Sequence, residues 1–379
     1  MKNKSYYEAI ATLIGCIIGA GIFTIPYVVA KAGFLTGLLA IVLLGIASLV
    51  INLYLGEITL RTKKIHQLTG YASIYLGNIG RKVMAFAMLV SVYGGLIAYI
   101  LGEGQALYEI FGIFNPQFFS LIFFSIMALL VYFGLRAIEE SELDLVPFII
   151  IIIAIIAVLS IKSINYGNLV EFSLGKIFLP YGVILFAFSG VVAIPEMREE
   201  LIKHEKAFKR AIKIGSIIPI IIYIIFAFLV IGVTGADTTQ VATIGLGKYI
   251  GYHMVWIGNL FVVFAMATSF LTLGLALKEM YMYDYNMNEL YAWGLTVFIP
   301  FIIAFSGLTN FINAIGVTGA IGFGLIGTLS VLMFWKAKKL GKRKPEYSIN
   351  KKILIGTVLM IVFVLGILYQ ILSVLGVIG

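Results

Sequence analysis

Eleven long apolar runs constrain the fold of this chain more than any other feature of its sequence. A run of about 20 apolar residues is the length that an α-helix needs to cross about 30 Å of hydrocarbon. Only 12% of the 379 residues are charged, against about 25% in a typical soluble domain. The sequence therefore predicts an all-α polytopic membrane protein whose spans lie at about 8–30, 36–60, 83–108, 117–135, 145–162, 177–196, 212–234, 252–277, 290–306, 311–334 and 353–375.

The basic residues predict the orientation of these spans. With the amino terminus in the cytoplasm, 23 of the 27 Lys and Arg residues, Arg136 among them, lie on the cytoplasmic side, and Lys31, Lys162, Lys176 and Lys248 lie outside. This excess follows the positive-inside rule, so the net charge of +9 indicates membrane topology rather than nucleic acid binding. We therefore expect a multi-pass protein of the cell membrane with an extracellular carboxyl terminus.

The sequence argues against an enzyme. Cys16 is the single cysteine, which rules out an internal disulfide framework and a cysteine-based metal cluster. No P-loop, Gly-x-Ser-x-Gly or His-Glu-x-x-His motif is present. We expect no organic cofactor and no transition metal.

A glycine-rich stretch interrupts the first span between Gly15 and Pro26. Glycine weakens a helix interior by about 1 kcal/mol, and proline removes a backbone hydrogen bond. Irregular backbone at membrane depth is tolerated only against protein or a water-filled cavity, so the stretch is a candidate binding site. Alternatively, Gly15 and Gly19 form a face on which another helix packs closely.

The same pattern returns in span 6. Ala20-Gly21-Ile22-Phe23-Thr24-Ile25-Pro26 corresponds to Ser189-Gly190-Val191-Val192-Ala193-Ile194-Pro195 at a constant offset of 169 residues. Five spans per repeat reverse the direction of the second copy, which predicts an inverted repeat of five plus five helices. The expected units are residues 1–166, residues 167–335, and a basic linker with an eleventh helix over residues 336–379. In transporters of this type, helices 1 and 6 are broken near the bilayer midplane, where substrate and coupling ion bind.

Three segments carry a resemblance to a known family. The first is Gly15-x-x-Ile-Gly-Ala-Gly-Ile-x-x-x-Pro26, the second is Phe186-Ala-Phe-Ser-Gly-Val-Val-Ala-Ile-Pro-Glu196, and the third is Thr268-Ser-Phe-Leu-Thr-Leu-Gly-Leu275. They resemble helices 1, 6 and 8 of the hydroxy and aromatic amino acid permeases, which belong with the amino acid/auxin permeases in the amino acid–polyamine–organocation superfamily. The resemblance implies a LeuT-type fold and an amino acid substrate.

The resemblance also implies the residues of the site. Gly19, Ala20 and Gly21 would offer amides to the substrate carboxylate, while Phe186, Ala187 and Ser189 would line the break in span 6. In sodium-coupled relatives, the equivalents of Gly15, Ile18, Ala265, Thr268 and Ser269 form a Na⁺ site. Span 5 from Val146 to Ile161 has no charged residue that would replace this ion, which favours Na⁺ over H⁺.

Several alternatives stay open. Thr268 and Ser269 can instead bond back to carbonyls of their own helix. Glu103 in span 3 is either a proton or amine site or a solvated residue at the outer mouth, and Tyr93 or Tyr99 either caps the pocket or packs. Smaller expectations concern an ion pair of Glu57 with Arg61 and a solvated or interfacial helix over residues 196–210. Close helix packing is expected for the glycines of span 10, Gly316, Gly319, Gly322, Gly324 and Gly327.

The leading hypothesis is a secondary active transporter of neutral amino acids, with hydrophobic or aromatic ones as the narrower expectation, working by alternating access and ion-coupled symport. A proton-coupled transporter or exchanger is the alternative. A pore is the remote one, because channels usually build selectivity from rings of carbonyls or charges.

Overall fold

The computed structural model describes residues 2–133 and 138–377, and all regular structure in that part of the chain is helical. Arg136, counted above among the cytoplasmic residues, lies outside the described residues. The α-helices are α1 (Lys2–Ile17), α2 (Gly21–Ala32), α3 (Phe34–Arg61), α4 (Leu68–Phe111), α5 (Pro116–Phe133), α6 (Ile138–Ser160), α7 (Tyr181–Ala187), α8 (Ala193–Glu200), α9 (Phe208–Thr234), α10 (Ala242–Ile250), α11 (Tyr252–Glu279), α12 (Glu289–Phe305), α13 (Phe311–Val317), α14 (Gly324–Leu340) and α15 (Ile353–Val374).

Every predicted span coincides with a helix or with a pair of helices. Seven helices of the described chain are long and apolar enough to cross a membrane, and the bent pair α1–α2 makes an eighth. α12 and the apolar part of α6 are shorter apolar segments. The pair α7–α8 corresponds to span 6, and α13, a π-helical turn over Thr318–Phe323 and α14 together form span 10. The count of eleven spans is therefore consistent with the structure.

The sequence analysis missed some helical structure outside the spans. α4 begins at Leu68, well before span 3, and carries a non-helical residue at Gly77 with φ of 76°. α10 lies in the connection between spans 7 and 8, where a glycine-rich apolar segment gave no separate signal. α10 packs on α11 and α9, so this connection is part of the folded body.

Small residues let the helices approach closely, which is how helices associate without a hydrophobic driving force in lipid. A Cβ atom on Gly319 would lie 2.6 Å from the backbone nitrogen of Phe186, and one on Gly322 would lie 3.0 Å from the Cα of Ser91. Gly327 is equally close to the ring of Phe363. The expected packing role of the glycines in span 10 is confirmed at these positions.

We call the side of the membrane on which α1 begins the amino-terminal side. There, Glu57 at the end of α3 has a fully buried side chain. Its carboxylate pairs with Arg61 at 2.7 Å and with Lys338 at 2.5 Å, and it accepts a hydrogen bond from the amide of Ile349 at 2.6 Å. The predicted Glu57–Arg61 ion pair is confirmed, within a larger network that fastens the basic linker to α3.

The predicted solvated helix over residues 196–210 is wrong. α8 ends at Glu200, and α9 begins at Phe208 after a short turn. Arg198 is 4% exposed; its guanidinium donates to the carbonyls of Thr59 and Thr62 and pairs with Glu205 at 3.0 Å. The carbonyls at the end of α3 need donors, and a buried arginine supplies them, so the segment is a broken helix with a buried Arg198, while Lys203 and Lys206 in its turn are exposed.

Candidate functional site

The first broken helix has a short gap at membrane depth. α1 ends at Ile17 and α2 begins at Gly21, and the two helices are bent by 48°. The amide of Gly19 bonds to the carbonyl of Ile17 at 3.1 Å, so it is not available to a substrate in this conformation. The amides of Ala20 and Gly21 have no backbone acceptor among the described residues. These two amides, at the amino terminus of α2, are the donors that an anionic group can use.

The second broken helix has a longer gap. α7 ends at Ala187, α8 begins at Ala193, and the five residues Phe188–Val192 connect them. The carbonyl of Phe188 accepts hydrogen bonds from the hydroxyl of Ser48 at 2.8 Å and from the amide of Gly190 at 2.9 Å. The thiol of Cys16 lies 3.9 Å from the carbonyl of Ser189. Contacts from α3 and α1 thus replace the helical bonds that this segment gives up.

The two gaps meet at Gly21 and Ala187. A Cβ atom on Gly21 would lie 2.4 Å from the Cβ and 2.6 Å from the Cα of Ala187. The approach is therefore possible because position 21 has no side chain. Ala187, predicted as a wall of the site, is the contact between the two broken helices.

A narrow cavity of about 10 Å³, roughly the space of one water molecule, lies beside this contact. It brings together five of the predicted residues, Gly15, Phe186, Ser189, Thr268 and Ser269. Tyr99 and residues that the sequence analysis did not assign complete the lining, namely Cys16, Thr272 and Leu273. The predicted residues Ile18, Ala20 and Ala265 are buried but do not line the cavity.

Gly19 faces the same region from the first gap. A Cβ atom there would lie 2.8 Å from the hydroxyl oxygen of Ser269 and 3.2 Å from that of Tyr99. Of the two tyrosines considered for capping the pocket, Tyr99 is therefore the one at the site. Tyr93 bonds instead to the hydroxyl of Tyr281 at 2.7 Å and to the carbonyl of Leu295 at 3.1 Å, so its role is packing.

The proposed cation ligands differ in how far they are already bonded. The Thr268 hydroxyl bonds back to the carbonyls of Phe264 and Ala265, each at 3.1 Å. The Ser269 hydroxyl is buried and interacts with the hydroxyl of Tyr99, and it is bonded to no backbone carbonyl among the described residues. The carbonyls of Gly15 and Ile18 have no backbone donor there. A buried hydroxyl oxygen near carbonyl oxygens that accept no backbone hydrogen bond is the kind of all-oxygen ligand set that a hard cation uses.

Glu103 is buried, which contradicts a solvated position at the outer mouth. Its side chain is 0% exposed, and neither carboxylate oxygen has a hydrogen-bond partner in the described part of the chain. It lies on α4 one turn beyond Tyr99, on the side away from the amino-terminal side. Unpaired acidic groups at membrane depth are costly and mark functional positions.

The residue that the sequence analysis missed most completely is Tyr223 on α9. Its hydroxyl is 2.7 Å from the carbonyl of Ile17 and 2.9 Å from the carbonyl of Ala187, so it touches both broken helices. No motif marks it, because its partners are main-chain atoms.

As for metals, no group of His, Cys, Asp or Glu that could hold an ion occurs among the residues described.

Comparisons with known proteins agree with this architecture. A model of the tryptophan/tyrosine permease family matches residues 2–373. Tyrosine-specific transport system 1 of Haemophilus influenzae is 28% identical over 379 residues, covering 93% of this chain and 92% of that protein. Glutamine transporter 2 of Aliivibrio fischeri is 24% identical over 338 residues, covering 84% of this chain and 86% of that protein.

A solved structure confirms the fold. MhsT in complex with L-phenylalanine superimposes with a TM-score of 0.69 at 16% sequence identity, covering 97% of this chain and 98% of that one. The predicted all-α LeuT-type architecture is therefore confirmed, as is the resemblance to amino acid permeases. The molecule is a multi-pass membrane protein that transports amino acids and is not an enzyme. With the family model matching nearly its whole length, the chain belongs to the tryptophan/tyrosine permease family.

Proposed function

We propose that this protein is a secondary active transporter of neutral amino acids that works by alternating access. The observation that carries the proposal is the meeting of two broken helices beside one cavity, which is lined by residues of α1, α4, α7, the second gap and α11. The unbonded amides of Ala20 and Gly21 suit the substrate carboxylate. Carbonyls at the carboxyl end of α7 would take its ammonium group by a second hydrogen bond, since those of Phe186 and Ala187 already accept one.

The lining of the cavity favours an apolar or aromatic side chain. Phe186 and Leu273 line it, and the ring of Phe186 lies 6.4 Å from the ring of Tyr99 and 6.3 Å from that of Phe323. No charged side chain is among the residues that line the cavity. A charged substrate side chain would therefore lose its hydration without gaining a partner. The relatives named for tyrosine and glutamine transport are consistent with a neutral substrate.

Alternating access is supported by an asymmetry across the site. The cavity follows α1 and α11 from Ser269 through Thr272 and Leu273 toward the amino-terminal side. On the opposite side, Glu103 is fully buried. This asymmetry is what we expect of a carrier whose site is closed to one side of the membrane and begins to open toward the other. The positive-inside bias places the amino-terminal side in the cytoplasm.

We favour Na⁺ as the coupling ion. The Ser269 hydroxyl, which is not bonded to its own helix, and the Gly15 and Ile18 carbonyls without backbone donors are suitable ligands. Thr268 would complete the set with Ala265 by exchanging its bonds to its own helix for a bond to the ion. The ion would attach α11 to the first gap and so stabilise the substrate-binding conformation.

A second candidate is proton coupling, and a specific observation favours it. Glu103 has both carboxylate oxygens buried without a partner, and a buried carboxyl is much cheaper to keep protonated than ionised. Several helices that pack against α4 carry titratable side chains, and none of those described is hydrogen-bonded to the carboxyl group of Glu103. They are Tyr132 of α5, His253, Lys278 and Glu279 of α11, Glu289 and Tyr291 of α12, and Lys336, Lys338 and Lys339 of α14. Exposure of Glu103 in the alternate state would then release its proton.

Uptake into proteoliposomes tests both candidates. Purified protein is given a panel of amino acids while Na⁺ and proton gradients are imposed separately, with protein-free liposomes as the control. Saturable uptake of neutral amino acids driven by the Na⁺ gradient is the expected result, and uptake driven by the proton gradient alone favours the second candidate. Absence of saturable uptake or exchange across the panel refutes the transport proposal. Single-channel currents would indicate a pore instead.

A further inference from the structure

Tyr223 connects the two broken helices through a single oxygen atom. Its side chain is fully buried on α9, and its hydroxyl lies within 3 Å of two carbonyl oxygens from different helices, those of Ile17 and Ala187. Ile17 is the last residue of α1, and Ala187 is the last residue of α7. The hydroxyl therefore sits where each helix stops.

These carbonyls need a positive partner at this point. The last carbonyls of a helix have no intrahelical donor, and in a buried site an unsatisfied carbonyl is costly. Two such oxygens that converge on one point attract a cation, a water or a donor group. Here the protein supplies the donor itself: the two oxygens share the one hydroxyl proton of Tyr223, and the Ile17 carbonyl also accepts the amide of Gly19 at 3.1 Å.

A second hydroxyl acts on the same gap. Ser48 on α3 donates to the carbonyl of Phe188 at 2.8 Å, and the ring of Phe188 packs on the ring of Tyr223 with centroids 5.1 Å apart. Consecutive carbonyls, those of Ala187 and Phe188, are thus fixed from two neighbouring helices that themselves pack on each other. Neither hydroxyl lines the cavity.

We propose that Tyr223, assisted by Ser48, is a positioning residue that sets the distance between the two gaps and thereby the affinity for the substrate. The unbonded amides of Ala20 and Gly21 belong to one gap, and the wall formed by Phe186 belongs to the other. A substrate that binds both must find them at the right separation, and the shared hydroxyl fixes that separation in advance. This inference rests on the proposed amino acid site but adds residues outside its lining.

The test compares Tyr223→Phe with Tyr347→Phe, which removes a tyrosine hydroxyl of similar burial at a position away from the cavity. Tyr347 is also a buried tyrosine whose hydroxyl donates to a helix carbonyl, that of Leu53 at 2.7 Å, but it lies in the basic linker away from the cavity. Both variants lose one hydroxyl oxygen and keep the ring. Initial rates of uptake are measured in proteoliposomes over a range of amino acid concentrations, together with melting temperatures with and without substrate.

In Y223F we expect KM to rise about tenfold, equivalent to about 1.4 kcal/mol of binding free energy, while the maximal rate per reconstituted protein stays within twofold. In Y347F we expect a similar loss of melting temperature and an unchanged KM. The stabilisation by substrate should shrink in Y223F and persist in Y347F. Equal KM values in Y223F, Y347F and the unmodified protein would overturn the inference.

Two further outcomes are kept separate. If Y223F does not fold, Ser48→Ala is measured in the same way; a KM raised at least threefold supports the inference, and an unchanged KM refutes it. If the unmodified protein shows no saturable uptake and no stabilisation by any amino acid, the proposed function fails. Normal behaviour of the unmodified protein with an unaffected Y223F contradicts the positioning role alone.

Discussion

Substituting Gly21 by alanine perturbs the contact between the two broken helices by one methyl group. That methyl carbon would lie 2.4 Å from the Cβ and 2.6 Å from the Cα of Ala187, whereas ordinary contacts begin near 3.4 Å. The gaps must therefore separate by the difference, 0.8 to 1.0 Å. Ala187 cannot swing aside, because the obstructing atoms belong to its backbone and to the short side chain on it.

The size of the effect follows from this displacement. A shift of about 1 Å in a binding geometry costs on the order of 100-fold in rate, and overpacking costs about 1–3 kcal/mol of stability. We expect G21A to lose about 100-fold in the ratio of maximal uptake rate to KM and to remain inserted in the membrane. Valine at this position should abolish transport.

Two variants serve as controls for this prediction. Gly175→Ala places its methyl group in open space and should transport normally. Gly19→Ala meets the hydroxyl oxygens of Ser269 and Tyr99 at 2.8 and 3.2 Å, and the Ser269 hydroxyl can rotate away, so we expect a loss below about tenfold. Uptake by G21A equal to that of G175A would show that the close approach of the two gaps is not required for transport.

Three further predictions concern the coupling ion and stability. Thr268→Ala combined with Ser269→Ala should abolish the stimulation of uptake by a Na⁺ gradient, and persistent Na⁺ stimulation would exclude the proposed cation site. Glu103→Gln should remove any stimulation by an imposed proton gradient while leaving Na⁺-driven uptake intact; unchanged proton stimulation would exclude Glu103 as the proton carrier. Arg198→Ala should destabilise the protein by about 1–3 kcal/mol because the buried carbonyls of Thr59 and Thr62 lose their guanidinium donor, while Glu205 keeps its pairing with Arg343, whereas Lys203→Ala, in the exposed turn, should melt like the unmodified protein.

The spans and the positions of the two gaps could be predicted from the sequence, because length, hydropathy and glycine content act locally. The offset of 169 residues relates Gly21 to Gly190, and both lie where their span loses its helical bonds. The cavity is also lined by Thr268 and Ser269, whose place in a site was implied by the resemblance of span 8 to the permease family. These features depend on the hydropathy and glycine content of short segments, which the sequence shows directly.

Tertiary contacts account for what the sequence did not predict. Tyr223 is one of 21 tyrosines, and its partners are main-chain carbonyls, which leave no complementary residue to recognise. Arg198 stands in a highly charged segment typical of a solvated helix, yet it is buried because the end of α3 needs donors. The burial of Glu103 depends on the conformation of the whole transporter, which no local pattern encodes.

The network around Glu57 has a consequence for how the protein can be shortened. The linker before α15 contributes the amide of Ile349 and the hydroxyl of Tyr347 to the end of α3, and α14 contributes Lys338. A ten-helix version cut after α14 would keep Lys338 but would leave the carboxylate of Glu57 short of a donor and the carbonyl of Leu53 uncovered. The linker that leads into α15 is thus joined to the end of α3 by polar contacts, in addition to the packing of α15 on α14.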